Sequence, residues 1–191
     1  MCSFFRQVER STDTYQLARR RTTTNHKDIN VHSKALVLST LLFSQLGQAE
    51  EALTLTFKQL TMETAVHIAQ ATVLSCREKG YQVTATVVDR SGTVQAVIRD
   101  SIAPPVTVTI SENKARAAVN FTSVTSALPD SLANGPVGRT PGLTMSAGGV
   151  PIQAAGVTLG AVGVSGAPGG DIDESCAQAG VDSVIDDLEM E

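Results

Sequence analysis

The chain has 191 residues, with 15 lysines and arginines against 19 aspartates and glutamates, and a formal net charge of −4. At 42% hydrophobic and 18% charged residues, the chain is apolar enough to bury a core, which excludes disorder throughout. The acidic balance excludes a protein that holds nucleic acid mainly by phosphate contacts. No stretch approaches the roughly 18 apolar residues of a membrane-spanning helix, so we expect no stable membrane insertion.

The composition of the chain changes near residue 50. Residues 1–49 carry a net charge of +4, the rest carries −8, and all seven prolines lie in the rest. A cationic leader therefore precedes an acidic domain. Residues 1–30 have no clear apolar periodicity, and we expect them to be an over-extended or disordered leader, with the true translation start at Val31.

Residues 31–49 follow the order of a secretory signal peptide. A short basic lead at 32–34 precedes an almost entirely apolar run at 35–43, and small residues stand at the two positions that signal peptidase recognises. This order predicts cleavage before Glu50 and a periplasmic or secreted protein, with residues 50–191 as a single mature domain. A buried amphipathic helix at 35–46 is the alternative interpretation.

The mature domain begins with a predicted helix over residues 60–78. Thr61 is a candidate N-cap, and Gly80 is a typical C-terminal stop. Apolar residues recur at helical spacing and predict one buried stripe, made of Val66, Ala69, Val73 and Cys76.

Two predicted hairpins and two further helices complete the order of elements. The hairpins join 82–88 to 93–99 and 149–153 to 157–165. One predicted helix covers residues 106–121, with Ile110 and Ala117 inward, and an acidic helix over 173–187 closes the chain. Residues 122–142, between the first of these helices and the second hairpin, form a long turn-rich loop. This order predicts an α+β fold, with a mostly antiparallel sheet flanked by helices.

The glycine-rich segment 160–167 fits neither a nucleotide-binding nor a hydrolase motif. Gly160, Gly163 and Gly166 match no phosphate-binding spacing, and no lysine follows them. Ser165 lies in a near-match to the nucleophile elbow, but a Pro-Gly-Gly loop follows it rather than a helix. We interpret these glycines as sites of close backbone packing and turning. The sequence offers no convincing catalytic constellation, so whether the protein is an enzyme stays open.

His67 is the one histidine after residue 49. It lies on the first predicted helix, on the flank of the apolar stripe. A lone helical histidine is most simply a surface or boundary residue. Haem iron, however, needs only one protein axial ligand, and imidazole suits it. A single histidine therefore excludes a histidine-rich metal cage but is compatible with haem.

Two sets of charged residues, one basic and one acidic, each have a functional and a structural interpretation. Lys114 and Arg116 on the second helix can receive a carboxylate or a propionate, or they can lie on a solvated helix face. Asp171, Asp173 and Glu174 can ligate a hard cation, although carboxylates at the start of a helix more simply cap its N–H groups.

The cysteines leave two alternatives open. Cys76 and Cys176 would remain in an exported chain, where a disulfide can form, and two buried free thiols are an equally good interpretation. The spacing contains neither a redox pair nor a zinc site.

Several sequence blocks keep a defined order over roughly residues 54–182. They are Val87-Val88-Asp89 with Gly92, Ala103-Pro104-Pro105, Lys114-Ala115-Arg116-Ala117-Ala118, Gly148-Gly149-Val150-Pro151-Ile152 and 160–167. Together they resemble the GlcG/HbpS family, which is related to the C-terminal domain of PduO-type corrinoid adenosyltransferases. The resemblance implies a profilin-like fold and homo-oligomers, from dimers to octamers.

The same resemblance implies haem as the cofactor. One branch of the family is exported and serves in haem sequestration or sensing, and the related adenosyltransferase domain binds haem through a histidine near its first helix. His67 matches that position, which makes it the candidate axial metal ligand. Lys114 or Arg116 would lie near the propionates, and Gly148 and Gly149 are further candidate binding residues.

The resemblance leaves a second function open. Another haem-binding branch uses a threonine at a place where this sequence has Ala117, so that ligand is absent or displaced, and Thr122 and Thr125 are only nearby hydroxyls. Cytoplasmic GlcG members have no settled activity. The alternative is a protein that binds or transforms a small hydroxy acid at Asp89, Lys114 and the Gly148–Gly149 loop.

Overall fold

The computed structural model describes residues 53–191, so the predicted leader and signal peptide lie outside the described residues. Five helices, four strands and two 3₁₀ turns follow one another there. In chain order they are α1 Met62–Glu78, β1 Thr84–Asp89, β2 Val94–Arg99, α2 Val106–Phe121, the turn Thr125–Ala127, α3 Asp130–Ala133, the turn Val137–Arg139, β3 Gly149–Ala154, β4 Val157–Ser165, α4 Gly170–Asp182 and α5 Ile185–Glu189. No helix in this part of the chain is both long and apolar enough to cross a membrane.

The four strands form one antiparallel sheet in the order β2-β1-β4-β3. Side chains alternate between the two faces of a strand, so β1 directs Ala85 and Val87 to one face and Thr84 and Thr86 to the other. The first face packs on α1 and α4, and the second packs on α2. The predicted α+β class and the antiparallel hairpins are confirmed.

The face shared by α1 and α4 carries most of the apolar core. Ala65, Ile68 and Ala69 of α1 are fully buried against it. A disulfide joins Cys76 of α1 to Cys176 of α4 and settles the choice between a bridge and free thiols. The predicted stripe was wrong at Val66, which is 40% exposed, because the helix turns Ala65 and Ile68 toward the sheet instead.

The face that meets α2 is more polar. The hydroxyls of Thr84 and Thr107 lie 2.6 Å apart, and those of Thr86 and Ser111 lie 2.7 Å apart. The prediction that Ile110 points inward was therefore wrong: it is only half-buried, because the hydroxyl-bearing positions of α2 face β1.

Close packing explains the glycines of β4. A Cβ on Gly163 would lie 2.1 Å from the carbonyl oxygen of Ser111, and one on Gly160 would lie 2.2 Å from that of Val88. These distances are too short for any side chain, so the interpretation as close backbone packing is confirmed.

The C-terminal helical region differs from the single predicted helix. α4 begins at Gly170 and ends at Asp182, and α5 is a separate short helix. The chain breaks between them because Val184 leaves helical geometry, with φ −133°, and packs into the core. The long turn-rich loop after α2 contains α3 and both 3₁₀ turns.

Candidate functional site

His67 is exposed on α1. Thr61 starts this helix by accepting a hydrogen bond from the backbone N–H of Thr64, as predicted. Apolar side chains stay exposed around the imidazole: Val66 precedes it, and Leu74, 42% exposed, lies two turns further along the same side. The structure thus presents one imidazole beside apolar surface.

Lys114 is buried at the edge of the sheet rather than lying on a solvated face. Its Nζ lies 2.9 Å from Oδ2 of Asp173, and the two side chains are 5% and 4% exposed. Gly148 makes room for the amine, since a Cβ there would lie 2.6 Å from Nζ. Gly149 makes room for the α2 backbone, since its Cβ would lie 2.5 Å from the carbonyl oxygen of Lys114.

Asp173 and Glu174 hold neighbouring segments in place and do not cap α4, whose N-cap is Gly169. Asp173 also accepts a hydrogen bond from the backbone N–H of Ala167. Burial raises the pKa of Asp173 above its usual value, and the nearby ammonium group only partly opposes this. Glu174 accepts from the backbone N–H groups of Ser126 and Gly148 and from the hydroxyl of Ser126. The capping interpretation was therefore wrong.

A cavity of about 580 Å³ lies between α2 and the segment after the second 3₁₀ turn. Arg116 is at one side of it. Nε of Arg116 donates to the carbonyl oxygen of Gly92 at 3.2 Å, and Nη2 lies 2.6 Å from Oε1 of Glu112. The cavity lining consists of Arg116, Asn120, Phe121, Val137, Thr140, Pro141, Gly142 and Leu143.

A second cavity, of about 300 Å³, lies near the start of α1. Its lining includes Lys58, Thr61, Thr64, Leu159 and Leu188. His67 lines neither cavity. Within the described residues, no group of three or more histidine, cysteine, aspartate or glutamate side chains is placed to hold a metal ion.

The candidate residues fall into three places. Lys114, Gly148 and Gly149 meet beside Asp173. Arg116 lies at the cavity beside α2, and His67 lies on α1, on the opposite face of the sheet. One chain therefore cannot bring His67 and Arg116 to the same haem.

The residues of the hydroxy-acid alternative are also separated. Asp89 is at the end of β1, where it accepts hydrogen bonds from the backbone N–H groups of Ser91 and Thr93. Lys114 lies near Val164, which pairs with Ala85 near the other end of β1. These residues hold a turn and a buried ion pair, and they do not face one pocket.

A family model described as haem-degrading protein HbpS-like matches residues 60–182. The chain belongs to the HbpS-like family. A double mutant of Streptomyces reticuli HbpS is 36% identical, with a TM-score of 0.65 over 69% of this chain and 90% of that chain. No curated protein matches the chain.

Two more distant structures share the HbpS-like fold. Klebsiella pneumoniae ORFY is 26% identical, with a TM-score of 0.63 over 69% of this chain and 94% of that chain. PduOC, solved as a haem complex, is 21% identical, with a TM-score of 0.60 over 66% of this chain and 95% of that chain. At this lower identity the PduOC likeness supports the fold alone.

The partner of Lys114 and the cavity beside Arg116 were not predicted from the sequence. Thr107, Ser111 and Lys114 recur at helical spacing, which was the available signal that Lys114 shares the inward face of α2. The cavity walls come from two segments far apart in the sequence, and no local pattern connects them. Thr125, considered as a nearby hydroxyl, is buried and accepts from the backbone N–H of Gly149.

Proposed function

We propose that this HbpS-like protein is an exported, homo-oligomeric haem-binding protein with His67 as the axial ligand of the iron. The observation that carries the proposal is the exposed imidazole on the outer side of α1, beside Val66 and Leu74, in a family described as haem-degrading. An accessible imidazole can ligate haem iron, and exposed aliphatic groups can cover part of the apolar macrocycle.

Assembly of two or more copies would complete the haem site. The haem would rest on an open helix surface, since His67 lines neither described cavity. A second copy would cover the other side of the macrocycle. Lys114 is already paired with Asp173, so its amine is not available to a propionate. Arg116 is on the face of the sheet opposite His67, so we give it no part in the haem site.

Export is supported by the signal-like segment and by the Cys76–Cys176 disulfide. Disulfides persist mainly in oxidising compartments such as the periplasm or the extracellular space. A cytosolic protein of this kind would keep these cysteines reduced.

Hemin titration of the full chain tests the ligand assignment. We expect a Soret shift for the wild type, and at least about ten-fold weaker binding with an altered spectrum for His67→Ala, since loss of an axial bond removes 1.4 kcal/mol or more. Gln70→Ala, an exposed neighbour on α1, is the matched control and should bind like the wild type. The same affinity and spectrum in His67→Ala would remove the assignment.

A further inference from the structure

We propose that the cavity beside α2 binds a small monocarboxylate with an apolar body, at a site separate from the haem site proposed at His67. The cavity has a volume of about 580 Å³ and is largely open to solvent, so a ligand there would stay partly exposed. It lies on the α2 face of the sheet, whereas α1 covers the other face. The two ligands would therefore bind independently.

The guanidinium of Arg116 supplies the charge that would recognise a carboxylate. Nε donates to the carbonyl oxygen of Gly92, and Nη2 forms an ion pair with Glu112, so two of the three nitrogens are held in place. Nη1 has no hydrogen-bond partner among the residues that the structure describes. It points toward Gly142, where a Cβ would lie 3.5 Å away. A fixed guanidinium with a remaining donor suits one carboxylate group.

Gly142 keeps the space beside Nη1 open. Its φ of 86° is in the left-handed region, which favours glycine, so the chain turns here without placing a side chain in the cavity. The carboxylate can then approach Nη1 from the side of Gly142, where no side chain blocks it.

The other residues that line the cavity determine which uncharged part the ligand can have. Phe121, Val137, Pro141 and Leu143 offer apolar surface, and Val137 is 42% exposed. Asn120 and Thr140 add polar groups at the same cavity. Glu112, the acid nearest the guanidinium, disfavours a ligand that carries more than one negative charge. A single ring or short acyl chain with one carboxylate fits this combination of walls and charge.

Benzoate and benzamide form a matched probe pair, because they share the apolar ring and differ in the charge. We expect benzoate, titrated into the full chain by calorimetry or NMR, to bind at least about ten-fold more tightly than benzamide, which is the effect of one charge-assisted contact. Arg116→Gln should abolish this preference. Arg139→Gln, an exposed arginine nearby that does not line the cavity, should preserve it.

Val137→Asp provides a second test at an exposed wall and should weaken benzoate binding by charge repulsion without disturbing the core. Equal binding of benzamide, or unchanged benzoate binding in Arg116→Gln and Val137→Asp, would overturn the proposal. Hemin binding of Arg116→Gln should match the wild type. If hemin displaces benzoate and depends on Arg116 but not on His67, the cavity is the haem site and both proposals fail.

Discussion

Lys114 and Asp173 form an ion pair that is almost entirely removed from water, with Nζ and Oδ2 2.9 Å apart. Desolvating two charges costs several kcal/mol each, and their attraction offsets this only where the geometry is good and the other polar atoms are satisfied. Asp173 meets that condition in part, through the backbone N–H of Ala167. The pair is best understood as a structural link between α2 and α4 and not as a site for a propionate.

The raised pKa of Asp173 predicts a specific dependence of stability on pH. The folded protein holds this proton more tightly than the unfolded chain does. The stabilisation that this proton contributes is therefore complete below the ordinary aspartate pKa of about 3.9. It is lost as the pH rises through the pKa that Asp173 has in the folded protein. Asp173→Asn removes this titration, so its unfolding free energy should fall less with rising pH than that of the wild type.

Urea unfolding at a series of pH values above about 4 measures this difference. Asp182→Asn, an exposed aspartate at the other end of α4, is the matched control and should keep the wild-type slope. A wild-type slope in Asp173→Asn would show that the buried carboxyl does not titrate as described.

For single residues, the sequence predicted which element carries a candidate residue, but it did not predict which partner that residue contacts. Lys114, Gly148 and Gly149 lie together beside Asp173, whereas Arg116 lies apart at the cavity beside α2. The burial of Lys114 depends on Asp173, which lies 59 residues further along the chain. The contact between these two residues could not be predicted from the sequence, because it forms only when the chain folds.

Among the elements, α1 and α4 are held together by a covalent bond as well as by packing. The Cys76–Cys176 disulfide closes a sequence separation of 100 residues. Gly180 lets the two helices approach closely, since a Cβ there would lie 1.9 Å from Oγ1 of Thr72. The helix that carries His67 is therefore fixed to the C-terminal part of the fold.

Loss of this disulfide should lower the stability substantially. For a loop of this length, loop-closure entropy predicts a loss of about 4.7 kcal/mol in the unfolding free energy. Urea unfolding with and without reductant measures the effect. The double variant Cys76→Ala/Cys176→Ala should show the lower stability in both conditions, whereas wild-type stability that does not respond to complete reduction would contradict the expectation.

Element boundaries were predictable where local signals act. Thr61 and Gly80 bound α1, Pro105 precedes α2, and the turn residues 89–92 separate β1 from β2. The inward side of α2 was predicted wrongly at Ile110, because Thr107 and Ser111 of that helix face the threonines of β1. The break between α4 and α5 likewise depends on Val184 reaching the core.

At the scale of the whole molecule, the sheet separates two surfaces of different character. α1 presents an exposed imidazole with aliphatic neighbours on one face, and α2 borders a cavity with a guanidinium on the other. This separation follows from the alternation of strand side chains and from the strand order, which no single motif specifies. It makes the haem and carboxylate proposals independently testable.

The charge asymmetry of the chain leads to a prediction about the mature protein. The net charge of −4 combines a leader of +4 with a domain of −8, and we expect the leader to be removed on export. Intact-mass measurement of the protein from its native host, with a peptide map, should find Glu50 as the first residue and Cys76 linked to Cys176. A cytosolic protein that retains residues 31–49 would contradict the export proposal.

Resonance Raman spectroscopy of the ferrous, haem-loaded full chain tests the central claim most directly, because the iron–histidine stretching band reports the bond itself. We expect this band in the wild type, a shift on labelling histidine with ¹⁵N, and its loss in His67→Ala with retention in Gln70→Ala. The same band in His67→Ala, or a wild-type band that does not shift on labelling histidine with ¹⁵N, would contradict the assignment of His67 as the haem ligand.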